Sequence, residues 1–446
     1  MMRAALVLGL GCGLLAGRVN AQTPATTDYA ITHARIYTLA GEPIEEGTVV
    51  IHAGKIAAVG ANVSIPNGVK VIDARGLQVY PGLFDSVTQI GLSEIQAVRS
   101  TVDTTETGSF NPDVVAATAV LPSSAHIPVT RAGGTTEVMS VPASGGFDSD
   151  LYSLPVGVVG GQASAIHLAG WTVSEMLIRR NAAMVINWPE LKTQSFDSAT
   201  FSRKEKPYSE AKKEYEKQLD QLADWIGQAR HYAQAMQQTG GASFERDVKL
   251  EAMVPVVRGE MPIVVFADKA RDIRNAVEFC DKQKLKMILA GGTEAWKVKD
   301  VLRSKDVAVI LRPTLDEPSE EDDPYDRLLT QPAELSAAGV KIAFGSFDNS
   351  FARRLGQQAA NAVAHGLKYE EALKAVTIYP AEIFGLDGEL GTVETGKVAN
   401  LIVTNGDPLE ITTEVQYLLI NGQLTSTDNK HKDLYEKYRN RPKAAQ

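Results

Sequence analysis

The sequence predicts an α/β protein whose central domain alternates strands and helices and whose two ends are β-rich. Residues 29–73 read as short strands. "YAITHARIYTL", "EEGTVVIHAGKIAAVG" and "GVKVIDARGLQVY" alternate apolar and polar side chains between Gly, Pro and Asn breaks. The same texture returns in "LGTVETGKVANLIVTNG" and "EVQYLLINGQLTS". Neither end can bury an apolar face alone, so the two are expected to share one composite β-sandwich.

Between them the period changes. "MPIVVFADK" is a buried-strand run, and "ARDIRNAVEFCDKQKL" follows with helical spacing of Ile273, Ala276, Val277 and Cys280. "KMILAGG", "TEAWKVKDVLRSKD" and "VAVILRP" continue as strand, helix, strand, and "GVKIAFGS" is a further strand before the helical "FARRLGQQAANAVAHGL" and "YEEALKAVTIYPAEIFGL". Such alternation requires parallel crossovers. An eight-stranded (β/α)8 TIM-type barrel fits the count better than an open sheet, which the pattern alone leaves open. Residues 204–238 carry the apolar stripe Tyr215, Leu219, Leu222, Ile226 and Ala229 and read as a surface helix packed on the barrel. The acidic "LDEPSEEDDPYD" (315–326) lacks the glycine and ligand spacing of a calcium loop and reads as a solvated loop after a strand.

The first residues read as a leader. Arg3 precedes an apolar run from Ala4 to Ala16, and "VNA" ends at Ala21, so a secretory signal peptide cleaved after Ala21 is expected, with a periplasmic or secreted product. The run is too short to span a bilayer. Removing Cys12 leaves Cys280 alone, so no internal disulfide is expected, and its place in a helical stripe makes it a core residue. A net charge of −9 argues against nucleic acid and anionic membrane surfaces as partners. The expected division is 1–21 signal peptide, 22–78 first part of the sandwich, 79–388 barrel, 389–426 second part of the sandwich, and 427–446 a basic tail.

Several segments resemble the amidohydrolase superfamily, in particular its imidazolonepropionase-like branch. "ARIYTLAGEPIEEGTVVIHAGKIAAVG" is similar to that family's N-terminal β segment, "VIDARGLQVYPGLFD" to the run into its first barrel strand, and "RAGGTTEVM" to its second. "GLDGELGTVETGKVANLIVTNGDPL" is similar to its C-terminal return and is the most specific of the four. The resemblance implies the barrel with a composite β-sandwich and hydrolysis of non-peptide C–N bonds in cyclic amides or small peptide derivatives. It also implies zinc or another divalent metal, held first by His-x-His after Pro-Gly-Leu-Asp. Side chains at i and i+2 of a strand share a face, so two imidazoles would point into the barrel mouth together.

At those positions "PGLFDSVT" carries Ser86 and Thr88. The fifth-strand position reads Phe266, and "LAGG" puts Gly291 and Gly292 at the sixth. The eighth reads Phe347, with Asp348 displaced by one, which turns a strand side chain to the opposite face. Near the fourth strand stand Asn187 and Glu190, with no lysine suited to carbamylation. The seven histidines, His33, His52, His126, His167, His231, His365 and His431, show no paired metal spacing. His126 and His167 are the two expected near the mouth, and Glu137, His167 and Asn187 are the candidate polar groups of its pocket.

No Gly-x-Ser-x-Gly elbow and no phosphate cradle replaces the metal chemistry. The expectation is a family member with no bound metal, with lost or impaired hydrolysis, and with a small-molecule ligand or a partner retained. Two other readings stand beside it: an active enzyme with a remodelled metal site, and a non-catalytic subunit pairing with an active paralogue; the expected assembly is a homo-oligomer or a hetero-oligomer with that paralogue.

Overall fold

The computed structural model describes residues 27–142, 157–197, 202–239, 245–318 and 320–441, so the expected leader lies outside the described residues. Both chain ends enter one sheet. Its strands are Tyr29–Ile36 (β1), Ile44–His52 (β2), Lys55–Gly60 (β3), Lys70–Asp73 (β4) and Gln78–Pro81 (β5), joined by three from the far end of the chain. The barrel strands follow as Leu83–Thr88 (β6), Thr135–Ser140 (β7), Val159–His167 (β8) and Leu177–Asn187 (β9). A hairpin, Gln194–Asp197 (β10) with Ser202–Glu205 (β11), stands apart. The barrel resumes with Ile263–Ala267 (β12), Met287–Gly291 (β13), Ala308–Leu311 (β14) and Ile342–Phe344 (β15). Leu401–Thr404 (β16), Val415–Ile420 (β17) and Gln423–Thr425 (β18) complete the end sheet.

The end sheet runs β18-β17-β16-β5-β1-β2-β3, with β4 beside β1. β5 and β16 pair antiparallel, Val79 opposite Val403, and this pairing joins the two chain ends as the alternation required. Ile31, Ile51, Val79, Leu401, Val403 and Leu419 meet in one buried cluster.

The barrel sheet runs β15-β14-β13-β12-β9-β8-β7-β6 and is nearly closed. At its seam the Phe347 N–H donates to the Val87 carbonyl at 2.8 Å. Lower down, Phe84 and Phe344 both donate to the 375–376 segment, which wedges between the first and last strands. Phe84, Met139, Ala165, Val185, Val264, Ile288 and Ile310 fill the interior, and Ile378, Ala381, Phe384 and Leu390 close it from below. Strands β12 to β15 are apolar on both faces, as "IVVFA" in β12 illustrates, because helices cover their outer side.

One strand departs from the expected eightfold repeat. β8 is antiparallel to both β7 and β9. Between β8 and β9 the chain offers only the one-turn helix Val173–Met176, too short for a parallel crossover. From β9 onward the strands are parallel and separated by helices, including Tyr208–Thr239, whose Leu222, Ile226 and Ala229 are fully buried. Among the described residues no helix is long and apolar enough to cross a membrane.

Leu401 is fully buried at the junction of the two chain ends. Leu401→Ala is expected to lower stability by about 2–5 kcal/mol, the usual range for a buried leucine, as measured by urea unfolding.

Candidate functional site

The ends of β6, β12, β13, β14 and β15 form the barrel mouth, where loops after strands build the sites of such barrels. Thr88 ends β6, and its hydroxyl donates to the Asp348 carbonyl at 2.7 Å. The Ser346 hydroxyl lies 3.0 Å from the same Thr88 oxygen. Thr88 is thus bonded into the seam between first and last strands. Ser86 is fully buried two residues earlier, and its hydroxyl has no hydrogen-bond partner. Phe266 and Phe347 meet edge to face, with ring centroids 5.9 Å apart.

Asp348 does not aim into the space beneath. Its carboxylate accepts from Gln96 Nε2 and from the Phe351 N–H, both at 2.9 Å, and from the Ser350 N–H. Its one-place displacement therefore serves the following loop. Asn187 stands level with Phe266 across β9 and β12 and donates to the Gly157 carbonyl at 2.8 Å.

Gly291 ends β13 with φ +97°, and a Cβ there would lie 2.7 Å from Asp268 Oδ1. The space of a sixth-strand ligand is taken by a neighbouring carboxylate. That carboxylate belongs to a group the sequence reading passed over. Asp268 accepts from Arg312 Nε at 3.1 Å and Nη2 at 2.9 Å, and from the Thr293 hydroxyl at 2.7 Å. The Arg312 guanidinium lies 5.0 Å from the centre of the Phe347 ring. Burial pushes Asp268 up, but the Arg312 charge and these hydrogen bonds outweigh it and hold the carboxyl below its ordinary range. Asp316 is raised by its burial and by Asp268, against the pull of Arg312. The available signal was positional: Asp268 and Arg312 each follow directly on an apolar strand run, where mouth residues sit.

These residues do not fit a zinc-type ion. Such an ion needs several imidazole, thiolate or carboxylate donors converging within about 2.0–2.3 Å. The mouth offers two neutral hydroxyls, two phenyl rings and a glycine, while Asp268 and Asp348 are bonded elsewhere. Among the described residues no three His, Cys, Asp or Glu side chains gather to hold a metal. The acidic loop is tied down instead, Glu320 to Lys269 at 2.6 Å and Asp323 to Lys297 at 3.3 Å.

Glu137 and His167 are brought together, but at the other end of the barrel from the mouth. They sit opposite each other on β7 and β8, and the reversal of β8 carries His167 to the barrel floor. Asn400, entering β16, donates through Nδ2 to Glu137 Oε2 at 2.9 Å and lies 3.1 Å from His167 Nδ1. Its own Oδ1 accepts from the Asn421 N–H at 2.7 Å. This polar knot joins barrel to end sheet. Burial raises Glu137 to about 8 and lowers His167 to about 4, so both are neutral near pH 7. His126 is the histidine nearer the mouth loops, 2.9 Å from the Glu94 carbonyl.

Residues 330–427 match the sequence profile of the amidohydrolase family. An amidohydrolase structure from Thermotoga maritima MSB8 superimposes with a TM-score of 0.76 at 26% identity, covering 89% of this chain and 99% of that one. The chain is similar to the amidohydrolase family in the sequence profile of residues 330–427 and in its fold. Amidohydrolase tasK of Hapsidospora irregularis is 22% identical over 410 residues, 84% of this chain and 39% of the relative. The chain therefore spans about two fifths of that curated protein's length. The N-acyl-D-aspartate deacylase of Alcaligenes xylosoxydans xylosoxydans is 42% identical over 65 residues, 15% of this chain and 13% of its own.

The floor knot gives a pH dependence. Glu137 keeps its proton in the fold up to about 8, whereas the unfolded chain releases it near 4.5. Its stabilising effect is complete below 4.5 and is lost as pH rises through 8. Asp85, raised by burial to about 7, acts in the same direction. His167 acts oppositely, but only below 6.5. Wild type should lose stability from pH 6.5 to 8, and Glu137→Gln should remove on the order of 1–2 kcal/mol of that loss in denaturation curves. Equal slopes in the two proteins would show that Glu137 is already ionised.

Proposed function

We propose that this chain does not carry out metal-dependent hydrolysis and that it binds a small molecule in its barrel mouth. The observation that supports this is the filling of the mouth. Phe266 and Phe347 pack across it, Thr88 is bonded into the seam, and the Cβ space of Gly291 belongs to Asp268. Stripping water from a divalent cation is offset only by strong directional donors, and hydroxyls and phenyl rings do not supply them. The family reaction, hydrolysis of non-peptide C–N bonds in cyclic amides or small peptide derivatives, sets the chemistry of the ligand.

The proposal includes export, with residues 1–21 removed after Ala21, and the division into barrel (79–388), end domain (22–78 with 389–426) and basic tail (427–446). The shared buried cluster of the end sheet supports reading that domain as a sandwich folded on itself.

Protein purified without chelator or metal-binding tag, from cells supplied with zinc, iron and manganese, should contain well below one equivalent of transition metal by elemental analysis. Stoichiometric metal, removed by chelator together with amide hydrolysis, would favour a remodelled metal site. Metal-free protein that gains activity only with an active paralogue would favour the partner-subunit reading. Intact-mass analysis of the exported chain is expected to begin at Gln22. A retained Met1 would count against export.

A further inference from the structure

We infer that the C-terminal helix, Lys430–Arg439, docks on the acidic loop that follows β14 in a second copy of this chain. The inference is independent of what the barrel mouth holds.

The helix has ten residues, and none of them is buried. Asn429 caps it, its side chain accepting from the His431 and Lys432 N–H groups. A cap alone does not hold so short a helix. Helices under about 12–15 residues are marginal in water and draw their stability from packing an apolar face. This helix has such a face. His431, Leu434, Tyr435 and Tyr438 recur at i, i+3, i+4 and i+7, and the last three are exposed large apolar side chains. Cations flank them. Lys430, Lys432 and Lys437 enter no ion pair among the described residues, whereas Arg439 is paired to Glu436. Residues 427–446 carry six Lys and Arg against three Asp and Glu, on a chain of net charge −9. The helix is thus a basic, aromatic face on an acidic protein.

The complementary pattern lies after β14. Residues 315–326 hold seven Asp and Glu and no Lys or Arg. Lys269 and Lys297 take up Glu320 and Asp323, which ties the loop to the barrel. Glu317, Glu321 and Asp322 remain exposed and outside any ion pair among the described residues. Leu315 and Tyr325 stand on either side of them, 73% and 90% exposed. Leucine and tyrosine beside unpaired carboxylates on the loop match leucine and tyrosine beside unpaired lysines on the helix. Opposite potentials around an apolar centre are what a specific interface requires.

Three other occupants fit less well. Two copies of the helix would repel each other. Laid antiparallel about the stripe, Lys430 meets Arg439, Lys432 meets Lys437 and Asp433 meets Glu436, and laid parallel each charge meets itself. Within one chain the helix does not cover the loop, because Leu315, Tyr325, Leu434, Tyr435 and Tyr438 are all exposed in the same structure. An anionic membrane would attract the lysines but repel the acidic body of the protein. Exchange of helices between two copies makes the contact twice about one two-fold axis.

The test is cross-linking of the full chain by a carbodiimide, which joins a lysine amine directly to a carboxylate. Unlabelled and 15N-labelled protein are first mixed in equal amounts. Lys430, Lys432 or Lys437 should be joined to Glu317, Glu321 or Asp322, with mixed-isotope pairs as frequent as unmixed ones. Light scattering should give a mass above that of one chain at high concentration, falling towards one chain in about 0.5 M salt, where surface charges are screened over a few ångströms. Lys432→Glu with Lys437→Glu, and separately Glu321→Lys with Asp322→Lys, should each weaken association about tenfold or more, and an equal mixture of the two variants should recover it. All four residues are exposed, so both variants keep the fold. Unmixed pairs alone would place the helix on its own chain's loop. Mixed pairs from lysine to Asp433 or Glu436 in place of the loop would mean that helices pair. Uptake of single chains by phosphatidylglycerol vesicles, without cross-links to the loop, would assign the helix to a lipid surface. Any of these, a one-chain mass at every concentration, or a variant mixture that associates no better than either variant alone, would overturn the inference.

Discussion

The rest of the barrel depends on how its first and last strands meet. Closing an eight-stranded sheet leaves an interior just wide enough for side chains to fill. Here the closing contact at the mouth is the hydrogen bond from the Phe347 N–H to the Val87 carbonyl. To make it, Phe347 adopts left-handed backbone, and this puts its ring against Phe266 on the far side of the interior. Thr88, Ser346 and the Asp348 carbonyl complete the seam with side-chain hydrogen bonds. The Thr88 hydroxyl and the Phe347 ring are therefore structural members of the closure.

The same constraint explains Asp348. With Phe347 turned inward, the next side chain is directed to the loop that follows, where it accepts two backbone N–H groups and Gln96. A carboxylate satisfied in this way has little left to offer a cation. The Gly291–Gly292 pair behaves similarly on β13, since its backbone leaves room for Asp268 and for nothing larger.

Much of the fold was legible because it obeys short-range rules. Alternation of period two at both chain ends, and the absence of a face either could bury alone, called for a shared sheet, which the β5–β16 pairing provides. The parallel strands from β9 onward were legible as apolar runs separated by helical periods. The direction of β8 was not. "VGGQASAIH" is buried along its whole length whichever way it runs, and only the shortness of the link to β9 gives the reversal away. That reversal is why His167 lies on the barrel floor with Glu137 and Asn400 and away from the mouth. Asp268 and Arg312 were missed for a different reason. A charged residue after a strand is common, and what distinguishes these two is a pairing across 44 positions of sequence.

Metal and ion pair solve one electrostatic problem at different cost. A divalent ion polarises a carbonyl strongly, but it must be stripped of water and held by several buried donors. A guanidinium already paired to a carboxylate is locally neutral, so it can sit a quarter exposed at the mouth without a converging cage. It gives up the low-pKa water that makes a metal site hydrolytic, since nothing in an Asp–Arg pair acidifies water as a metal does. What it keeps is an oriented ion pair at the ends of β12 and β14. Phe266 and Phe347 fill the space beneath that pair edge to face, as part of the closure of the barrel.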